Sequence, residues 1–193
     1  MTTKSSNTAH LVLDVNVWLD FMVVNFEQSN SNFVSRDLKS ANYASRIISN
    51  YLKNVSSNNL FTLNSSEHII KAMQIVLKDT YLWEEDMIAN AGSLLRTICA
   101  NSNGDSDLDF RQALSYVEVA VPIRTLKTKS TSIEVIDYED LCVIATAADA
   151  AREGYNCILV TNDTGLLNVS HFTLPKLGVA IVSSKNICQF LNS

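Results

Sequence analysis

The chain has 193 residues, of which 47% are hydrophobic and 18% charged, with five glycines and two prolines. That balance excludes a disordered or fibrous protein, and the length suits one compact domain with a sizeable core. The formal charge of −5 argues against indiscriminate binding to nucleic acid, although acids gathered in one site can dominate such a sum while cations line its approach.

No basic segment leads into an apolar run, and no apolar run reaches about 18 residues, so neither an export signal nor a membrane span is expected. The four cysteines, Cys99, Cys142, Cys157 and Cys188, lack metal-type spacing. They read as reduced core thiols of a cytoplasmic protein. The chain opens on polar residues, and 1–9 read as a disordered tail ahead of a single domain over 10–193.

The first element is Leu11-Val12-Leu13, which runs straight into Asp14. A short continuous apolar run suits a strand buried on both faces, as in a parallel sheet. Asp14 then stands at the carboxyl end of that strand, where open α/β sheets place their ligands. It is equally suited to cap the helix expected over 17–25. A polar segment over 27–32 reads as a loop. Tyr43, Ile47, Ile48, Tyr51 and Leu52 give helical spacing over 40–52. A short strand is expected over 60–63, and Asn64-Ser65-Ser66-Glu67 then opens a helix carrying Ile69, Ile70, Met73, Val76 and Leu77.

Residues 81–131 read as a helical insertion: one helix over 81–100, a polar break over 101–107, and a partly helical stretch interrupted by Pro122. A strand over 132–136 feeds Asp137. The helix over 138–153 is the clearest in the chain, with Leu141, Ile144, Ala145 and Ala148 on one face and Gly154 just past its end. Cys157 to Thr161 form a second buried strand, ending in Asn162-Asp163. A last strand over 179–182 and a closing helix over 184–191 complete the chain. Strands alternating with helices predict a three-layer α/β/α sandwich with a mostly parallel central sheet.

In such a sheet Asp14 and Asp163 emerge at the same edge. Asp137 and Asp140 share the first turn of one helix, and Glu67 lies in the first turn of another. Helix capping accounts for some of this, since Asn64 with Glu67 and Asp137 with Asp140 resemble capping boxes. Asp137 precedes the helical pattern and is placed to cap; Asp140, one turn in, is placed to project toward Asp14. Convergence has a cost, because carboxylates about 6 Å apart repel by about 2–3 kcal/mol at an effective dielectric of about 20. No Lys or Arg adjoins Asp14, Glu67, Asp140 or Asp163 in sequence. A hard divalent cation is the natural partner: Mg²⁺ and Mn²⁺ take oxygen ligands, polarise phosphoryl oxygens and acidify water.

Three stretches now carry a resemblance: Val12 to Val17, Asp137 to Asp140 before the alanine-rich helix, and Leu159-Val160-Thr161-Asn162-Asp163-Thr164-Gly165-Leu166-Leu167. Together they resemble the PIN-domain family of metal-dependent ribonucleases, many of them toxins of toxin–antitoxin pairs. The resemblance implies a Mg²⁺- or Mn²⁺-dependent hydrolase with RNA as substrate, and Asp14, Glu67, Asp140 and Asp163 as catalytic metal ligands. Asn16, Asp137 and Thr161 would support them. It also implies an antitoxin protein partner and a homodimer. Three positions depart from the family's pattern: Val15 replaces the usual hydroxyl residue, Asn162 a common glycine, and Gly165 a further acid. The alternative is a catalytically inactive PIN-like protein that serves in binding or as a scaffold.

Other residues read more plainly. Trp18 and Trp83 sit in apolar helical patterns and suit the core. His68 adjoins Glu67 and either faces the site or the solvent. Arg36, Lys39, Arg46, Lys53, Arg124, Lys127 and Lys129 either line an RNA path or form solvated faces. There is no Walker loop and no dinucleotide fingerprint.

Overall fold

A strand with no polar side chain on either face must be covered on both, and that requirement places Leu11, Val12 and Leu13 at the centre of the molecule. All three are buried. The structure, a computed structural model, describes residues 9–26, 38–54, 61–99, 107–121 and 136–191. Its sheet has four strands, all parallel: β1 (Ala9–Leu13), β2 (Phe61–Asn64), β3 (Asn156–Thr161) and β4 (Val179–Ser183). Their order is β2-β1-β3-β4. The chain leaves β1 in one direction to form β2 and later returns on the other side to form β3 and β4. Right-handed crossovers in opposite directions put helices on opposite faces, and the result is a three-layer α/β/α sandwich.

Helices α1 (Val15–Phe26) and α2 (Leu38–Asn54) follow β1 and pack on each other, joined by α9 (Ser184–Leu191) from the end of the chain. The other layer holds α6 (Tyr138–Arg152), which lies on β1, β3 and β4, backed by α5 (Asp107–Ala120) and α8 (Ser170–Leu177). Between β2 and α6 run α3 (Glu67–Asp79) and α4 (Glu85–Cys99), packed against each other; the short α7 (Thr164–Asn168) follows β3. Side chains of α4 and α5, within the stretch 81–131, belong to the same buried apolar cluster as the sheet.

Several expected boundaries move. Ala9, assigned to the tail, is the first residue of β1 and pairs with Phe61 and Asn156; residues 1–8 lie outside the described ones. β2 continues through Asn64, which pairs with Val12 and turns its amide to His10 and Thr62. The capping box between Asn64 and Glu67 is therefore not formed. Ser66 caps α3 instead, its Oγ accepting the Ile69 N–H at 3.3 Å, and Glu67 is the first helical residue.

The helix expected over 81–100 begins only at Glu85. Leu82 takes φ 54° in the turn before it, and the Trp83 N–H returns to the Leu77 carbonyl. Gly154 at φ 89° and Gly178 at φ 71° end α6 and α8 in the left-handed region that a side chain disfavours. The loop over 27–32, the polar break over 101–106, Pro122 and the strand residues 132–135 lie outside the described residues. Trp18 is fully buried and Trp83 nearly so, both in the core. All four cysteines are buried and free. Among the described residues, no helix is long and apolar enough to cross a membrane.

Ser66 also accepts the Thr146 hydroxyl of α6 at 3.0 Å. Ser66→Ala removes both the cap and this tie. It is expected to lower stability by about 1 kcal/mol, a fall in Tm of about 2–4 °C for a chain of this size. Thermal denaturation measures it, and an unchanged Tm would place the cap elsewhere.

Candidate active site at the ends of the central strands

The order β2-β1-β3-β4 reverses direction between β1 and β3. In open α/β sheets the crevice at such a reversal, beyond the carboxyl ends of the strands, is where ligands bind. Asp14 follows β1 and Asp163 follows β3 by two residues, so both stand at that crevice. The Asp14 N–H donates to the Val160 carbonyl at 2.9 Å, extending the β1–β3 ladder by one residue. Its own carbonyl accepts from the Val17 and Trp18 N–H groups, which starts α1.

The side chain of Asp14 is only 4% exposed. Its Oδ2 accepts the Thr161 hydroxyl at 2.7 Å and lies 3.4 Å from the Asn16 amide nitrogen. Thr161, completely buried, accepts in turn from the Asp163 backbone N–H at 2.9 Å. One hydroxyl thus fixes the carboxylate after β1 and the backbone after β3. Asp163 Oδ1 caps α7 by accepting the Leu166 N–H at 3.1 Å.

Asp137 and Asp140 form a complete capping box at the start of α6. The Asp140 N–H donates to Asp137 Oδ1 at 2.9 Å, and the Asp137 N–H donates to Asp140 Oδ2 at 3.2 Å. Asp140 therefore does not simply project away from its helix; one of its oxygens is committed to the cap. The sequence could show that the box was available, but not that Asp140 would fill its half while still facing other acids.

Electrostatics ties three of the acids together. Burial pushes the Asp14 carboxyl above its ordinary range, against the hydrogen bonds from Thr161, Val15 and Asn16, and Asp163 raises it further. Asp140 is pushed to about 7, first by burial and then by the charges of Asp137, Asp163 and Asp14, against the hydrogen bond from the Asp137 backbone. The charge of Asp163 therefore raises both Asp14 and Asp140, and that of Asp14 raises Asp140.

Glu67 does not belong to that field. Both of its oxygens are taken by Arg96 of α4, with Nε to Oε1 at 2.7 Å and Nη2 to Oε2 at 2.8 Å. The Arg96 hydrogen bonds hold its carboxyl below the usual range, assisted by the charges of Arg96 and Lys71. Next to it, His68 Nε2 meets Glu139 Oε2 at 2.6 Å, so His68 is engaged by the residue preceding Asp140.

The chain matches no protein-family model, no curated protein and no solved structure. The chemistry of the site rests on its own geometry. Asp14, Asp140 and Asp163 offer hard oxygen donors of the kind that Mg²⁺ and Mn²⁺ take, and in that respect they fit such an ion. Among the described residues, no group of three or more His, Cys, Asp or Glu side chains is gathered closely enough to hold a metal ion already. The donors are adjacent but not drawn together.

Sequence reasoning passed over three residues here, Asp20, Ser184 and Arg96. Asn162 donates its amide toward Asp20 Oδ2 at 3.3 Å and accepts the Ser184 hydroxyl at 2.7 Å, clamping the turn before Asp163 between α1 and α9. Asp20 is 5% exposed. An acid inside Val17-Trp18-Leu19-Asp20-Phe21-Met22 was the available signal, because buried charges need partners. Arg96 gave no signal, since nothing in a helix 29 residues later announces its partner. Of the expected cationic path, Lys39, Arg46 and Lys53 are exposed on α2, while Arg36, Arg124, Lys127 and Lys129 lie outside the described residues.

The raised Asp140 carboxyl gives stability a pH dependence of definite sign. Between its ordinary 3.8 and about 7, the folded chain holds that proton more tightly than the unfolded one, so this contribution to stability is lost as pH rises through the window. Asp140→Asn removes the ionisation. Its Tm relative to wild type is expected to be higher at about pH 7.5 than at about pH 5, measured by thermal denaturation without added metal. An equal offset at both pH values would take Asp140 out of the shared field.

Proposed function

We propose that the chain is a Mg²⁺- or Mn²⁺-dependent endoribonuclease, a hydrolase of RNA phosphodiesters of the PIN-like kind. The observation that carries this reading is the placement of Asp14 and Asp163 at the reversal of strand order, from where both raise Asp140. Carboxylates that raise one another are stabilised by a cation between them, and this edge of the sheet is where an α/β fold presents a substrate. Asp14, Asp140 and Asp163 would hold the ion, which when bound polarises a phosphoryl oxygen and acidifies water.

The chain's own contribution is orientation. Thr161 holds Oδ2 of Asp14 and the backbone of Asp163 in one arrangement, and Asn16 approaches the same oxygen. Asp137 fixes the first turn of α6 and with it Asp140. Glu67 stands outside this ligand set, because both its oxygens already accept from Arg96. A cytoplasmic location suits four buried free thiols. An antitoxin protein partner and a homodimer belong to the same reading and rest on the resemblance alone.

The Glu67–Arg96 pair favours a second reading, a binding or scaffold protein with this fold and no catalysis. The two separate in one experiment. A ligand that binds only the folded state at about 100 times its Kd stabilises by about 2.7 kcal/mol, so Mn²⁺ is expected to raise Tm by several degrees. Asp14→Asn and Asp163→Asn should abolish that rise, and Asp140→Asn should fold but fail to cut a labelled RNA that wild type cuts in Mn²⁺. Equal Mn²⁺ responses in wild type and both variants would remove the shared site. RNA binding without metal-dependent cleavage would select the scaffold.

A further inference from the structure

The ion pair between Glu67 and Arg96 stands beyond β2 at the same edge of the sheet as Asp14 and Asp163, and the proposed chemistry makes no use of it. Ser66, before Glu67, is tied to Thr146 of α6, and His68, after it, is tied to Glu139. The start of α3 is therefore fastened to α6 on both sides of Glu67, the His68 tie one residue from Asp140. Each partner suits its helix end: an acid in the first turn of α3 and a base in the last turn of α4.

We propose that Arg96 is a phosphate-binding residue of this site, and that Glu67 is the residue that positions it rather than a metal ligand. The inference rests on the phosphodiester reading above. A guanidinium presents a planar fork that matches a phosphate as it matches a carboxylate. Glu67 engages that fork through two parallel bonds, so Arg96 is kept extended and correctly oriented before substrate arrives. The pair is part exposed, with 46% of the Arg96 and 35% of the Glu67 side chain open to solvent, and exposed pairs are weak enough to exchange.

A further observation fits. The chain as a whole is acidic at −5, so a phosphate approaching the carboxylates needs a local cation to hold it.

The test uses the full chain and a labelled single-stranded RNA, with binding followed by fluorescence anisotropy in EDTA over a range of salt, and cleavage then measured in Mn²⁺. Arg96→Gln is expected to weaken binding about tenfold and to reduce the salt slope by about 1, the loss of one phosphate contact. Its KM should rise while kcat stays within about twofold, as for a residue lost from uniform binding. Arg96→Lys, which keeps the charge without the fork, should lie between and guards against a fold defect in Arg96→Gln. Glu67→Gln should weaken binding about threefold with kcat unchanged, and Glu67→Gln with Arg96→Gln should be no worse than Arg96→Gln alone, the non-additivity of residues acting as a unit. Wild-type binding that neither Arg96 variant alters would overturn the assignment of Arg96 alone. Loss of kcat in Glu67→Gln with RNA binding intact would make Glu67 a ligand and overturn its positioning role. A wild type that neither binds nor cuts RNA would overturn this inference together with the nuclease reading.

Discussion

The hydroxyl of Thr161 is the joint on which the crevice depends. It donates to the carboxylate that ends β1 and accepts from the backbone that follows β3, inside a fully buried environment. β1 and β3 are neighbours only because the chain leaves and re-enters the sheet on opposite sides, so this contact spans 147 residues of sequence. Buried hydrogen bonds to a carboxylate are strong, and leaving either partner unmatched costs more than the bond contributes. A hydroxyl can serve both neighbours at once, since it has a donor and acceptor lone pairs; a valine of similar shape could serve neither.

Around that joint the fold arranges two kinds of acid. The charge of Asp163 raises Asp14 and Asp140, that of Asp14 raises Asp140, and all three are held by hydrogen bonds from their own backbone and from Thr161. Glu67 is matched by a guanidinium. The contrast appears in the direction of their ionisation: Asp14 and Asp140 move up and Glu67 moves down. Two carboxylates at the starts of neighbouring helices are thus opposite in kind, and sequence position alone would not separate them. The Asn162 clamp adds rigidity from the other side, tying the turn before Asp163 to Asp20 and Ser184.

Much of the frame was legible because it follows from periodicity. The apolar runs at 11–13 and 157–161, the alanine-rich helix and Gly154 after it carry their structure in the order of their residues. Local rules also placed Asp137 as a cap. What escaped lies in pairings between distant segments. Asn64 looks like a helix cap until β2 is seen to pair with Val12 through that residue; strand pairing then claims it and Ser66 takes the cap. Residues 82–84 continue a helical pattern, but Leu82 turns the chain at positive φ and Trp83 folds back into the core. The helices over 164–177 were not anticipated, since they are short and carry Pro175 within them. Arg96 was invisible for the same reason as Thr161's bond to Asp14: a side chain's partner across the fold leaves no mark on its neighbours.

Capping and ligand binding are usually weighed as rival explanations for an acid at the start of a helix, and here they share a cause. A parallel sheet sends each strand into a helix at the same edge, so the N-termini of α1, α3, α7 and α9 collect there, with Asp14 before α1, Glu67 opening α3 and Asp163 capping α7. A helix N-terminus stabilises a nearby negative charge by about 0.3–1 kcal/mol. Repulsion between carboxylates about 6 Å apart is about 2–3 kcal/mol at a dielectric of about 20. A carboxylate whose only task was capping would ionise more readily than in water, because the N–H groups it accepts favour its charged form. Asp140 accepts such a bond and yet is pushed to about 7, its burial and the neighbouring charges outweighing the cap. The fold has therefore accepted an acid where ionisation is unfavourable, which a capping role does not require and a cation would reverse.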